Sequence, residues 1–396
     1  MTDTTVYKAD CRHFRGDIPC TPHKREGVHC DGCGYYAPID RNILIIKLGA
    51  IGDVIRTTPL LERLRHEFPH ARIWWLTLTP EVLPAGVDRT LRFDAASVLT
   101  LQAMEFDLAI NLDKDLEACA LLSRLGAGRK KGFTLIDGVC APVDDDARHK
   151  FLTGIFDDRN KANTKHYVRE IFEICGYDWR GEEYVLDVDR RFDLEATAEA
   201  TGVAMDTTRP IIGLNTGCGG RWTSRLWPDA YWVELATRLG EAGYQPLFLG
   251  GAQEHEKNGA FAAASGGAYL GHFSLTDFIA LMDRCDVIVS AVTMAMHLAI
   301  GLHKPLILFN NIFNRHEFEL YGRGEILEPS KPCQCFFQPT CRNEEYRCME
   351  HLEVDRVFDA VVRAATVTPG TGAAAGTGAA AGTGAAAGTG AAAGTG

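Results

Sequence analysis

The 396-residue chain contains no run of about 18 consecutive apolar residues, so no membrane-spanning helix is expected. Its first residues, MTDTTVYKADCRH, lack the apolar stretch of a secretory signal. Both absences point to a cytoplasmic, reducing location and leave peripheral contact with the inner membrane open. Basic residues are in deficit: 41 Lys and Arg face 52 Asp and Glu, a formal charge of -11. Such a chain is a poor match for a phosphate backbone, so no nucleic-acid partner is expected. Also missing are a Walker-type Gly-Lys-Ser or Gly-Lys-Thr and a GxGxxG in the first βα turn.

What is present is ordinary for a globular protein, with 46% hydrophobic and 23% charged residues. At about 150 residues per domain the length implies two or three domains. From Arg41 the pattern is α/β. Ile43–Leu48 is an apolar run broken only by Lys47, as in a strand buried on both faces. A glycine turn at 49–52 follows, then a helix starting at Thr57, Thr58 and Pro59. Strands are expected at 73–78 and 108–112. Residues 140–200 read as charged and mostly helical, without a catalytic signature. A loop-like stretch at 207–210 marks a domain boundary. A second series follows, with strands at 211–215, 246–249, 287–289 and 306–309 and helices at 229–240 and 293–302. Strands alternating with helices imply parallel βαβ units. Two successive series imply a ligand in the cleft between them, at the strand C-termini.

The expected organisation is a cysteine-rich segment (1–40), two α/β domains (41–206 and 207–330), a cysteine finger (331–352), an amphipathic helix (353–369) and a Gly/Thr/Ala repeat (370–396). The repeat has no side chain able to offset ordering entropy and is expected to be disordered.

Thirteen cysteines in a reducing compartment are not expected to form disulfides. Cys11, Cys20, Cys30 and Cys33 follow C-x8-C-x9-C-x2-C, and Cys333, Cys335, Cys341 and Cys348 follow C-x-C-x5-C-x6-C. Each set has the four thiols that a closed tetrahedral zinc or iron site needs. The alternative is separate buried thiols.

Four constellations carry chemistry. In Lys47-Leu-Gly-Ala-Ile-Gly-Asp53, a carboxylate follows a buried strand; it is either a base for a hydroxyl proton or a helix cap. Asn215-Thr216-Gly217-Cys-Gly-Gly-Arg221-Trp-Thr-Ser-Arg225 combines glycine-turn amides with two guanidinium groups, which suits a diphosphate; the alternative is a flexible loop with a Trp anchor. Glu254, just past Gly250-Gly251, is placed either for ribose hydroxyls or as a first-turn glutamate. Thr293 and His297 share one face of a helix start that can receive an anion, although a histidine on an apolar helix is commonly a core residue.

In this order and spacing the pieces resemble the family-nine glycosyltransferases, the ADP-heptose-dependent heptosyltransferases. The resemblance spans about residues 41–325 and is strongest in ILIIKLGAIGDVIRTTPLLERLRHEFP, with support from Arg225-Leu-Trp-Pro, LFLGGAQE and the segment from Thr293 to Pro305. It implies a GT-B arrangement of two facing Rossmann-like domains, the first for the acceptor and the second for the nucleotide sugar. It implies Asp53 as general base, Arg225 on the donor diphosphate, Thr216 and Gly217 in the phosphate loop, and Glu254 at the ribose. Arg221, Thr293, Met294 and His297 complete the expected donor contacts. The family's Asp-Thr-Gly-x-x-His reads here Val292-Thr293-Met294-Ala-Met-His297, so the hold on the sugar differs. The C-terminal cysteines and LFNNIFNRHEFELYG are similar to the autotransporter heptosyltransferase branch, which modifies protein side chains, forms large rings and carries an iron finger.

The expected activity is therefore inverting transfer of heptose from ADP-heptose to a hydroxyl of the lipopolysaccharide inner core. A protein acceptor is the alternative, and the oligomeric state stays open. The rivals are a dinucleotide-dependent oxidoreductase or epimerase, and a non-catalytic metal-bound scaffold.

Overall fold

The computed structural model describes residues 6–367. The repeat at 370–396 lies outside them.

Two sheets form the frame. The first runs β3-β2-β1-β4-β5-β6, from β1 (Arg41–Ile46), β2 (Ala71–Thr77), β3 (Arg89–Arg92), β4 (Glu105–Asn111), β5 (Gly126–Ile136) and β6 (Val139–Pro142). The second runs β11-β10-β9-β7-β8, from β7 (Ile211–Asn215), β8 (Gln245–Leu249), β9 (Val287–Ala291), β10 (Leu306–Phe309) and β11 (Gly324–Leu327). Every pairing is parallel except β5 with β6, so the expected parallel first sheet carries one antiparallel edge strand. Each order reverses once, between β1 and β4 and between β7 and β9. Crevices open at such reversals beyond the strand C-termini.

The expected apolar runs form the sheet centres. β7, β8, β9 and β10 are buried at every residue, as strands covered on both faces must be. The expectation of a turn at 49–52 is corrected. Only Lys47–Ala50 is irregular, and Ile51–Ile55 is a short helix. The Pro59–Glu67 helix starts where proline predicts it.

One core cluster continues from Ile43 and Ile45 under the first sheet to Leu247, Ile288 and Leu306 under the second. Its centre is the seam between the Ile51–Ile55 helix and the Met294–Gly301 helix. Gly52 makes that seam possible, because a Cβ there would overlap ring carbon Cδ2 of His297. Polar ties flank it. Arg323 Nη1 and Nη2 donate to Glu183 at 3.0 and 2.6 Å, Tyr321 Oη donates to the Glu182 carbonyl at 3.0 Å, and Asn314 Nδ2 donates to the Asn160 and Asn163 carbonyls at 2.6 and 2.7 Å. The Val354–Val367 helix packs on the second lobe, with Arg238 Nη1 donating to Asp355 Oδ1 at 2.7 Å.

Overpacking a filled seam costs about 1–3 kcal/mol. Gly52→Ala is therefore expected to destabilise by about 2 kcal/mol in the wild-type background and far less in a His297→Ala background. A double-mutant cycle on thermal unfolding reads the coupling; additive effects would mean the two residues do not meet.

Candidate active site

The floor of the first crevice is an ion pair. Lys47, just past β1, is buried and donates to Asp113, just past β4. Asp113 also accepts the amide N–H of Leu48 and, at 3.0 Å, that of Gly49. One carboxylate thus fixes the loop that launches the Ile51–Ile55 helix. Burial pushes the Lys47 pKa down, but the charges around it outweigh this and raise it.

Asp53 lies in the first turn of that short helix, whose N-cap is Ala50. It does not cap the Pro59–Glu67 helix, where Thr58 stands at the cap position, so the capping alternative is removed. Its side chain stays one-third exposed and forms an ion pair with Arg56, Nη2 to Oδ1 at 2.7 Å. Burial pushes its pKa up, but Arg56 and then Lys47 outweigh this and hold it at about 2. Arg56 also reaches across the seam to Glu317 Oε1 at 2.8 Å and lies 3.3 Å from the centroid of the Tyr167 ring. His297 is buried against Tyr184, ring centroids 6.2 Å apart, and its Nδ1 has no hydrogen-bond partner. Burial and the nearby Arg56 push its imidazole down to about 3, so it is neutral.

Two cavities meet above this floor. One, of about 630 Å³, opens at the β7/β9 reversal and is lined by Gly217, Gly250, Glu254, Phe273 and Phe278. The other, of about 450 Å³, lies on the seam and is lined by Asp53, Arg56, Trp222, His297, Phe313 and Phe337. Both volumes suit small-molecule sites. Arg225, Thr293, Met294 and Ile51 line both.

Arg225 is buried. Its guanidinium donates to the Val292 carbonyl and, at 3.3 Å, to the Cys218 carbonyl, while its Nε has no partner. Desolvation lowers its pKa, yet arginine stays charged. Thr293 caps the Met294–Gly301 helix, accepting from the Ala295 N–H at 3.2 Å. Glu254 turns back to accept the Gly251 N–H at 3.0 Å, so the local reading of it as a first-turn glutamate describes this state. Thr216 is buried away from the cavity, its hydroxyl donating to Asn258 Oδ1 at 2.5 Å. Arg221 is exposed, lies over the Trp222 ring and lines neither cavity. The cavity geometry thus brings together Asp53, Gly217, Arg225, Glu254, Thr293, Met294 and His297, and leaves Thr216 and Arg221 outside.

Sequence reasoning gave no role to Asp113, Glu317 or Phe337. The first two act through the fold, 66 and 261 residues from Lys47 and Arg56 respectively, and have no local signature. Phe337 comes from the C-terminal cysteine segment. It adopts a left-handed backbone at φ 52° and meets Phe313 edge-on at 5.0 Å. Bulky residues rarely take that conformation, and functional sites are where such strain collects. Its amide donates to the Ile312 carbonyl at 2.9 Å. The neighbouring carbonyls of Gln338 and Pro339 accept from the Ser224 hydroxyl and amide at 2.7 and 3.0 Å. The segment therefore buttresses the turn that holds Arg225.

In that segment Cys335 and Cys341 sulfurs stand 3.8 Å apart, and Cys333 accepts the Cys335 N–H at 3.3 Å. Cys335 accepts the Arg342 N–H at 3.2 Å, and Cys348 accepts Asn311 Nδ2 at 3.4 Å. All thirteen cysteines are free thiols. Among the described residues, no group of three or more His, Cys, Asp or Glu side chains is arranged to hold an ion as placed.

The family model for glycosyltransferase family 9 (heptosyltransferase) matches residues 96–323. The chain belongs to glycosyltransferase family 9. It is a glycosyltransferase, which stands against the oxidoreductase, epimerase and scaffold readings. The match begins after the stretch that holds Asp53. Among curated proteins, lipopolysaccharide heptosyltransferase 1 of Pseudomonas aeruginosa is 26% identical over 355 residues, covering 80% of this chain and 95% of the relative. Among solved structures, the Escherichia coli heptosyltransferase WaaC with ADP-2-deoxy-2-fluoro heptose aligns at TM-score 0.55 and 18% identity, over 81% of this chain and 99% of that one. The iron-containing dodecameric glycosyltransferase TibC from enterotoxigenic Escherichia coli aligns at TM-score 0.51 and 13% identity, over 83% and 77%. These two show the shared fold. Among the described residues, no helix of this family-9 chain is long and apolar enough to cross a membrane.

A buried neutral histidine destabilises the fold in acid, because the unfolded chain takes up the proton first. With the folded value at about 3, stability falls as pH drops below the ordinary 6.5. Between pH 6.5 and 5 the expected loss from His297 is about 2 kcal/mol. Denaturant melts at both pH values should show that loss in the wild type and its absence in His297→Asn.

Proposed function

We propose that this family-9 enzyme transfers heptose from ADP-heptose to a hydroxyl with inversion at the anomeric carbon. The observation that carries the reading is the shared wall: Arg225, Thr293 and Met294 line both cavities, and Asp53 lines only the one on the seam. The larger cavity would take the nucleoside diphosphate, its apolar end at Phe273 and Phe278 facing the base. The smaller would take the acceptor.

Asp53 would accept the proton of the acceptor hydroxyl. The oxygen then attacks the anomeric carbon from the face opposite the diphosphate, the bond to the diphosphate oxygen breaks, and ADP leaves. Arg225 and the N-terminal amides of the Met294–Gly301 helix face the charge that builds on the leaving oxygens. Preorganised donors of this kind remove several kcal/mol from a barrier. Held by Arg56, Asp53 is a weak base; an arriving hydroxyl must replace Arg56 as its partner before proton transfer. Met294, where the family has glycine, adds bulk to the wall at the sugar position.

The lipopolysaccharide inner core is the acceptor that goes with the similarity to heptosyltransferase 1. A protein hydroxyl is the second reading, favoured by the four-cysteine segment that walls the acceptor cavity with Phe337. A cytoplasmic location suits either, since thirteen unpaired cysteines stay reduced there. The C-terminal cysteines fit a metal on two observations: amide N–H groups aimed at their sulfurs, and a Cys335–Cys341 spacing of 3.8 Å. Sulfurs about 2.3 Å from a tetrahedral ion lie about 3.8 Å apart. Cys333, Cys335, Cys341 and Cys348 would hold a zinc or iron ion, which would crosslink the segment behind Arg225 and leave no open position for catalysis.

Incubation with ADP-heptose and either lipid-core or protein acceptors, read by mass spectrometry, tests the reading; heptose on neither acceptor counts against it. Asp53→Ala is expected to lower kcat about 10²- to 10⁴-fold while the ADP dissociation constant stays the same. Wild-type turnover in that variant refutes the base assignment. Arg56→Gln removes the charge that holds Asp53 down. The acid limb of its kcat/KM profile should therefore move to higher pH, whereas an unmoved limb would show that Arg56 does not set the Asp53 titration.

A further inference from the structure

The N-terminal segment is built unlike the rest of the molecule. Between residues 6 and 40 the regular structure is one six-residue helix, Thr21–Glu26, and an isolated bridge between Cys11 and Pro38. None of these residues joins any of the three hydrophobic core clusters. The segment nevertheless keeps a defined path across the edge of the first sheet. Arg12 donates to Asp88 Oδ1 at 3.0 Å and to the Pro69 carbonyl at 2.9 Å. Arg72 donates to the Cys11 carbonyl at 2.6 Å, and Arg89 to the Phe14 carbonyl at 2.9 Å. These contacts dock the segment without supplying an interior for it. Chains this short with so little apolar burial ordinarily need a covalent or metal crosslink.

The interior the segment does have is a void of about 20 Å³, room for one water-sized occupant, lined only by residues of the segment itself. Cys11, Cys20, Cys30 and Cys33 all line it, with His13 and His29 beside them. Residues 22 positions apart are thus folded around one small hole, with no disulfide among them. Cys30-Asp-Gly-Cys33 has the two-residue spacing that lets two sulfurs reach one ion, and the Cys33 N–H points back to the Cys30 carbonyl at 3.5 Å.

We propose that the void is a metal site in which Cys11, Cys20, Cys30 and Cys33 hold one zinc or iron ion as thiolates. As placed, no three of these side chains converge enough to share an ion, so binding turns the sulfurs inward and releases their protons. The ion is structural: it substitutes for the missing core and seats the segment on the first lobe. The proposal does not depend on the transferase reading or on the C-terminal cysteines.

The test uses the full chain purified without chelator. Metal analysis of the wild type against Cys30→Ser/Cys33→Ser is expected to show the loss of one equivalent of zinc or iron, with the ADP dissociation constant unchanged. Equal metal content in the two proteins overturns the proposal. Should the variant fail to fold, alkylation mapping of the wild type by mass spectrometry decides. Cys20, Cys30 and Cys33 are expected to be shielded until a strong chelator is added and then to label at least tenfold faster. Equal labelling with and without chelator overturns the proposal, whatever happens at Cys333 and Cys348.

Discussion

The geometry of this enzyme hangs on the close approach of two short helices. Gly52 lies against the His297 ring, and the contact fixes the distance between the lobes. Everything reactive is referred to it: Asp53 is the next residue on one helix, and Thr293 caps the other. The loop ahead of Gly52 is held in turn by Asp113, which binds Lys47 and two successive amides. A carboxylate carried on an element of only five residues owes its position to these neighbours, since such a helix has little stability of its own.

The electrostatics follow from the same packing. Arg56 is shared between Asp53 in its own helix and Glu317 across the seam, over the face of Tyr167. It therefore closes the lobes and masks the candidate base together. Arg225 has the opposite character: buried, only partly satisfied, and placed between two cavities. An unpaired donor on a buried cation is costly unless something fills it, and an anionic ligand is the natural partner.

Much of the fold was legible in the sequence for a specific reason. Strands such as β7, β9 and β10, buried on both faces, read as continuous apolar runs. β3 (RTLR), β11 (GEIL) and much of β5 (GAGRKKGFTLI) sit at or near sheet edges, where half-exposed polar residues erase the pattern. The helix at Ile51–Ile55 was hidden because Gly49 and Gly52 signal a turn, whereas Gly52 serves a contact more than two hundred residues away in sequence. At the site, a position at the cavities was legible for Asp53 and Arg225 because each comes after a buried strand in a short, distinctive motif. Thr216 owes its expected role to the family resemblance and Arg221 to its place beside the glycine turn. Their side-chain directions, into the core and into solvent, depend on tertiary neighbours such as Asn258 and Trp222. Glu317 and Phe337 belong to loops whose relevance comes only from what they fold against.

The apolar cluster shared by the two lobes has a consequence for motion. It runs without a break from Ile43 and Ile45 past Val54 and Met296 to Leu306. Swinging the lobes apart like a clamshell would wet that interior at roughly 25 cal/mol for every Å² uncovered. Sliding one helix along its partner keeps the interior dry and exchanges only the polar ties at the rim. Opening the two lobes like a clamshell therefore carries a penalty that sliding along the seam does not.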